Sequence, residues 1–313
     1  MIPELPPVVY VHINEIEVSD ETFRISRPLT GDELLKSISS SGILDPPLIL
    51  EKDNRKTVVF GHNRLYAAAT CGFNTVPVRL AAGINAELYL WYVAGKVYHD
   101  EIGPCGKCRV VSIMDNVYNL EPEKLRDVFS MLGIPAGFQK DRVQLDRVLG
   151  LPLPLREYLD VKNVNFRVIR TITGLPGYAV DFLGRMVEET LMRVNYFREI
   201  VAMMDDIMRR DGSLESVTSL EVDRSLNRKS REEELYREIR GIRYPVYMGM
   251  KEKADDLVKK LHGKGLNVDI PPYLEGDSIS VSFTLRKGKG LADAPLAVEK
   301  EIEVLLDDLL SIL

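Results

Sequence analysis

A chain of 313 residues, 45% hydrophobic and 28% charged, is long enough to bury a sizeable core and to form two or three domains. No apolar stretch approaches the roughly 18 residues that span a bilayer, and "MIPELPPVVY" lacks the basic start and hydrophobic centre of a signal peptide, so a soluble cytoplasmic protein without a membrane partner is expected. A formal charge of −6 excludes a chain uniformly adapted to coat nucleic acid, and three cysteines are too few for a disulfide framework.

The first hundred residues alternate short strands and helices. "VVYVHI" reads as a strand, and a helix is expected from about Gly31 to Ser40, opened by a capping box of Thr30 with Glu33 and ended by Gly42. Pro46 and Pro47 lead into the strand "PPLILE", and "TVVF" is the next strand. In "VVFGHNRLYAAATCGFNTVPVRL" the β-branched run Val58, Val59, Phe60 gives way to an alanine-rich helix that Gly72 stops. Gly61 lets the chain turn without a Cβ clash, and the first amides of the new helix lack intrahelical partners. Such a turn favours an anion, and Arg64 adds an exposed guanidinium beside it. An ordinary helix start with a surface arginine fits those four residues equally well. "AELYLWYVAGKVYH" suits a buried strand or a helix packed on the sheet, with helix preferred.

From about Val110 to Arg243 the pattern is helical, punctuated at Gly133, Pro135, Gly150, Pro152, Pro154, Gly174 and Pro176. "CGKC" at Cys105 to Cys108 has the spacing of half a zinc site, which Cys71 and His99 could complete, but a turn with two free thiols is the plainer reading. "RSLNRKSREEELYREIRGIR" mixes both charges and reads as a solvated linker helix. The tail begins with "YPVYMGM", alternating like a strand, then an amphipathic helix, the strands "LNVDI" and "SISVSFTLR", and a closing helix. The expected fold is therefore α+β: an α/β domain over 1–109, an all-α bundle over 110–243 and a small α+β domain over 244–313.

Taken together, Ser37, Ile38, Gly42, Pro46, Gly61, Arg64, Gly72 and Val76-Pro77-Val78 resemble the amino-terminal domain of the ParB and sulfiredoxin superfamily over roughly residues 8 to 125. The resemblance implies that the turn Gly61, His62, Asn63, Arg64 holds nucleotide phosphates, of CTP or of ATP or ADP. His62 stands where sulfiredoxins carry their reactive cysteine, which removes sulfinic-acid reduction. His62 also stands where partition ParB proteins carry a glutamate, which puts ParB-type hydrolysis in question.

Three further likenesses follow. "IMDNVYNLEPEKLRDVF" is similar to the E-N-L-Q-R segment of ParB proteins, which implies that Asp115 and Asn116 contact magnesium and that Asn116 also reaches phosphate; Asn119 replaces the terminal arginine. "ETFRIS" sits at the first arginine-containing box of ParB proteins, so that Arg24 or Arg27 closes over phosphates and Ser26 donates a hydrogen bond. The stretch after Gly150 looks like the ParB region beyond its helix-turn-helix, although Gly133 to Gly150 is short for two helices. The function implied is a nucleotide-binding, magnesium-dependent homodimer that engages DNA, as an NTPase or without turnover. The alternative is a small-molecule kinase resembling the free serine kinases, with Asp20, Glu21 or His62 as catalytic candidates.

Overall fold

In the computed structural model, the described residues are 5–25, 32–139, 142–271, 274–284 and 300–313. They fold as mixed α/β structure in two compact units, Met1–Asp205 with Val222–Glu232, and Asp206–Glu221 with Glu233–Leu313. Ser26, Arg27, Thr30 and Gly31 lie outside the described residues.

The first unit opens with β1 (Val8–His12), β2 (Ile16–Glu17), α1 (Glu33–Ser41), β3 (Leu48–Lys52), β4 (Arg55–Phe60), α2 (His62–Thr70), β5 (Thr75–Ala81) and α3 (Ala86–Tyr98). The strands form one mixed sheet in the order β1-β5-β3-β4-β2. β3 and β4 pair antiparallel through a turn in which Asp53 and Asn54 take φ of 51° and 62°, the left-handed conformation that short polar side chains tolerate. β5 runs parallel to β3, so Leu48 lies beside Arg79 and Ile49 beside Leu80. Ile38, Ile49, Val58, Leu65, Ala67, Ala68, Val76 and Val78 close a core between the sheet and the first two helices. Alanines at 67 and 68 let α2 lie close to the strands. Elsewhere in the unit, Phe60 stacks on Tyr89 and Tyr92 of α3, with ring centroids 5.0 and 5.1 Å away.

α1 begins at Asp32, its N-cap, so Glu33 occupies the first helical position rather than the third that a capping box needs. Gly42, at φ 69°, ends it as expected. Seven helices follow: α4 (Pro104–Asn116), α5 (Pro122–Met131), α6 (Ala136–Gln139), α7 (Arg142–Leu149), α8 (Leu153–Val161), α9 (Phe166–Gly174) and α10 (Gly177–Glu189). α4 is continuous through residues 109 and 110. "CGKC" is not a turn: Pro104 takes the first helical position and the two cysteines lie buried within α4. Between Gly133 and Gly150, α6 has four residues and α7 eight.

α11 (Val194–Asp211), α12 (Glu215–Thr218) and α13 (Arg228–Arg243) come next. α13 is more than a solvated linker. Glu232, Leu235 and Ile239 are buried along it, and the Glu232 carboxylate accepts from Arg193 Nε at 2.8 Å and from the Arg193 amide at 3.0 Å. Five basic residues between 228 and 240 masked the apolar positions in the sequence.

In the second unit, α14 (Pro245–Gly263), β6 (Leu266–Asp269), β7 (Ser280–Phe283) and α15 (Lys300–Leu310) share a core of Ala254, Leu261, Leu266, Leu274, Ile302 and Leu309. "YPVYMGM" is the first turns of α14, not a strand. Proline is pre-organised for a first helical position, and methionine is a good helix former. Val246, 76% exposed, has no sheet face to pack on. β6 and β7 pair antiparallel from Leu266 with Phe283 to Asp269 with Ser280, as "LNVDI" and "SISVSFTLR" suggest.

Candidate functional site

The turn after β4 is built as its sequence predicts. Gly61 caps α2 at φ 99°, and a Cβ there would lie 2.8 Å from Pro47 Cβ. Only glycine therefore lets the chain bend so close to the start of β3. No side chain caps the helix; its first intrahelical donor is Leu65, whose amide reaches the Gly61 carbonyl at 3.0 Å. The amides of His62 and Arg64 stand ahead of that bond, at the positive end of the helix dipole. Asn63, half-buried, lies between them.

Arg64 departs from expectation. Its side chain is only 20% exposed, and Nη1 donates both to the backbone carbonyl and to the carboxylate Oδ2 of Asp45. Asp45 itself is 80% exposed, so the carboxylate stands in water while the guanidinium lies against the protein. Arg64 thus ties the loop before Pro46 to the start of α2. A phosphate arriving here competes with one surface carboxylate.

His62 is buried. In the tautomer that donates from Nε2 to the Asp20 carbonyl, 3.3 Å away, Nδ1 is an acceptor with no hydrogen-bond partner. Burial pulls the imidazole down to about 4, and the nearby Arg24 charge adds to that against the opposing Asp20 carbonyl, Glu21 and Asp20 charges. A neutral ring so engaged offers a phosphate no N–H; the His62 backbone amide is the donor at this position. Burial raises the Asp20 acid, but hydrogen bonds from the Thr22 amide at 2.8 Å and Thr57 Oγ1 at 3.4 Å outweigh it and hold the carboxyl below its ordinary range.

Glu21 and Arg24 follow Asp20, whose carbonyl meets the His62 ring. Their own side chains pair, Arg24 Nη1 donating to Glu21 Oε1 at 2.6 Å. A carboxylate held by an arginine is poorly placed to take a proton from a substrate hydroxyl. Ser26, the other residue of that box, is outside the described residues.

Asp115 and Asn116 are engaged within the helical segment. The Asp115 carboxylate is 3.0 Å from Arg142 Nη1 of α7, and Asn116 Nδ2 donates to Ser112 Oγ at 3.1 Å. An arginine against the carboxylate repels a cation, and the two neighbours diverge by about 100° around the helix. A magnesium ion at Asp115 must displace the Arg142 guanidinium. Among the described residues, no group of three or more His, Cys, Asp or Glu side chains could hold a metal. Cys105 and Cys108 are free and buried; burial and the Asp160 carboxylate push both thiols up, Cys108 to about 12.

The partner of Arg64 was the residue that sequence reasoning missed. An aspartate directly before Pro46-Pro47 reads as turn chemistry, and nothing local announces that its carboxylate reaches α2.

No protein-family model matches the chain, and no curated protein matches it. Among solved structures, it is similar to the C-terminally truncated chromosome-partitioning protein ParB from Caulobacter crescentus complexed with CTP-gamma-S. The identity is 17%, the match covers 58% of this chain and 99% of that chain, and the TM-score is 0.26. It is also similar to the C-terminally truncated ParB of the same organism complexed to the centromeric parS site, at 16% identity and a TM-score of 0.26, covering 62% of this chain and 97% of that chain.

Proposed function

We propose that this protein binds a nucleotide through its phosphates at the start of α2. The observation that carries the reading is the uncapped helix start behind a left-handed Gly61, with the Arg64 guanidinium beside it. The ordered motif from Ser37 to Val78, with its resemblance to the ParB and sulfiredoxin superfamily, supports a nucleotide rather than a simple anion. Backbone amides at a helix N-terminus supply donors without a positive side chain, and Arg64 adds a charged fork. Arg24 lies four residues beyond Asp20, whose carbonyl meets the His62 ring.

Binding is favoured over phosphoryl transfer. Glu21 is tied to Arg24, and a neutral, buried His62 makes no proton relay to solvent. DNA engagement through the helical segment belongs to the same reading only as phosphate-directed, salt-dependent contact, because α6 and α7 together present few side chains to a groove.

Titration calorimetry of the full chain with CTP and ATP tests the proposal. Saturable binding that falls about tenfold or more in Arg64→Gln is the expected result, the loss of one charge-assisted bond. Undiminished binding in that variant overturns it.

A further inference from the structure

A second concavity in the first unit shares none of the turn residues. It is a cleft of about 270 Å³ walled by the segment Glu21, Arg24, Ile25, by the start of α4 with Cys105, Gly106 and Arg109, and by α8 with Arg156, Glu157 and Asp160.

The frame of the cleft is tightly built. A Cβ on Gly106 would lie 2.8 Å from the Ile25 carbonyl oxygen, and one on Gly103 would lie 2.5 Å from Asp160 Cα. Glycine is therefore required where the three segments meet. Asp160 Oδ1 accepts from the Cys105 amide at 2.7 Å and lies 3.4 Å from the Gly106 amide, so its charge is engaged by the helix start. Glu21 is engaged by Arg24 through its carboxylate, and its carbonyl accepts from Arg109 Nη2 at 3.2 Å.

Arg24, Arg109 and Arg156 thus line one cleft, in which Asp160 is engaged by a backbone amide and Glu21 by Arg24. Arg156 Nε is buried without a hydrogen-bond partner. The rest of the Arg156 side chain lines the cleft.

We infer that this cleft is a binding site for a small phosphate monoester. The phosphate is held by Arg109 and Arg156 with Arg24 at its edge, and Glu157 accepts from a hydroxyl on the remainder of the ligand. Arginine suits the tetrahedral dianion because its planar fork makes two parallel bonds to neighbouring oxygens. At about 270 Å³ the cleft is below the roughly 300–1,000 Å³ of sites for drug-sized molecules, which selects a small metabolite over a nucleoside triphosphate.

The test is calorimetric titration of the full chain at low ionic strength with inorganic phosphate and with glycerol 3-phosphate. Saturable binding of the ester with a dissociation constant below about 1 mM, weakened about tenfold or more in Arg156→Gln, is expected. Arg109→Gln serves as the second variant, with the thermal midpoint of each measured, and weakening in either folded variant supports the site. Absence of saturable ester binding overturns the inference, as does unchanged affinity in both variants. If Arg64→Gln abolishes ester binding while Arg156→Gln does not, the phosphate sits at the start of α2 and the cleft is not its site.

Discussion

Asp45 holds Arg64 with both its backbone carbonyl and its carboxylate, across 19 residues of sequence. The cation proposed to receive phosphate is thus kept in place by an anion that phosphate must displace. Because Asp45 is 80% exposed, its hold is that of a surface pair, about 0.2–1 kcal/mol. Asp45→Asn is expected to tighten nucleotide binding about two- to fivefold, opposite in sign to Arg64→Gln. Parallel calorimetry on the two variants checks the pair, and equal weakening in both would assign Arg64 a purely structural role.

Gly61 and Gly42 both take positive φ, 99° and 69°, but their surroundings differ. A Cβ at 61 meets Pro47 at 2.8 Å, whereas one at 42 meets nothing within 4 Å. Gly42→Ala is expected to cost about 1–3 kcal/mol, the backbone strain alone of φ 69° with ψ −166°, a region essentially reserved for glycine. Gly61→Ala is expected to cost about 2–4 kcal/mol, because Pro47 backbone must shift as well. Urea denaturation of both variants at neutral pH measures the difference.

His62 sets a pH dependence of stability. Its folded value of about 4 lies below the ordinary 6.5 or so of an unfolded histidine. The unfolded chain therefore binds more protons between those limits. Stability from this group is complete above the unfolded value and is lost as pH falls from about 6.5 towards 4. Between pH 7 and pH 5 the loss is about 2 kcal/mol. His62→Gln is expected to remove that part of the slope while leaving the contribution of the carboxylates, so denaturation midpoints of parent and variant at the two pH values should converge as pH falls.

Asp115 is a negative test for metal. With its carboxylate against Arg142, which is 62% exposed, Asp115→Ala is expected to change stability by less than about 1 kcal/mol. It should also leave any effect of magnesium on nucleotide binding as in the parent chain. Titrations with and without magnesium chloride check this. A magnesium effect that vanishes in the variant would restore Asp115 as a ligand.

The local features of this chain were legible where a residue's own conformation decides the structure. Gly42, Gly61 and Gly72 each signal a left-handed backbone, and each takes one, with φ of 69°, 99° and 81°. Pro46-Pro47 led into β3, and the alanine-rich run after Gly61 forms α2. What stayed hidden depends on partners far along the chain. Arg64 was expected to be exposed because no local feature shows Asp45 folding back on it. Asp115 was assigned to a cation by the likeness of its segment to a ParB helix, and no local feature shows that Arg142 lies against its carboxylate. "YPVYMGM" was misread for a different reason. A two-residue alternation over so short a run says little unless a sheet face exists to receive it, and the helix that follows extends back to Pro245 instead.

The bond from the Cys105 amide to Asp160 spans 55 residues and joins the first turn of α4 to the last residues of α8. Buried backbone amides exchange with solvent only when the structure around them opens. In hydrogen-exchange mass spectrometry, a peptide covering Cys105 and Gly106 therefore reports whether α8 is docked, although it contains no residue of that helix. Loosening at α8 reads out at the entrance to α4, giving an internal gauge of how the first unit holds together.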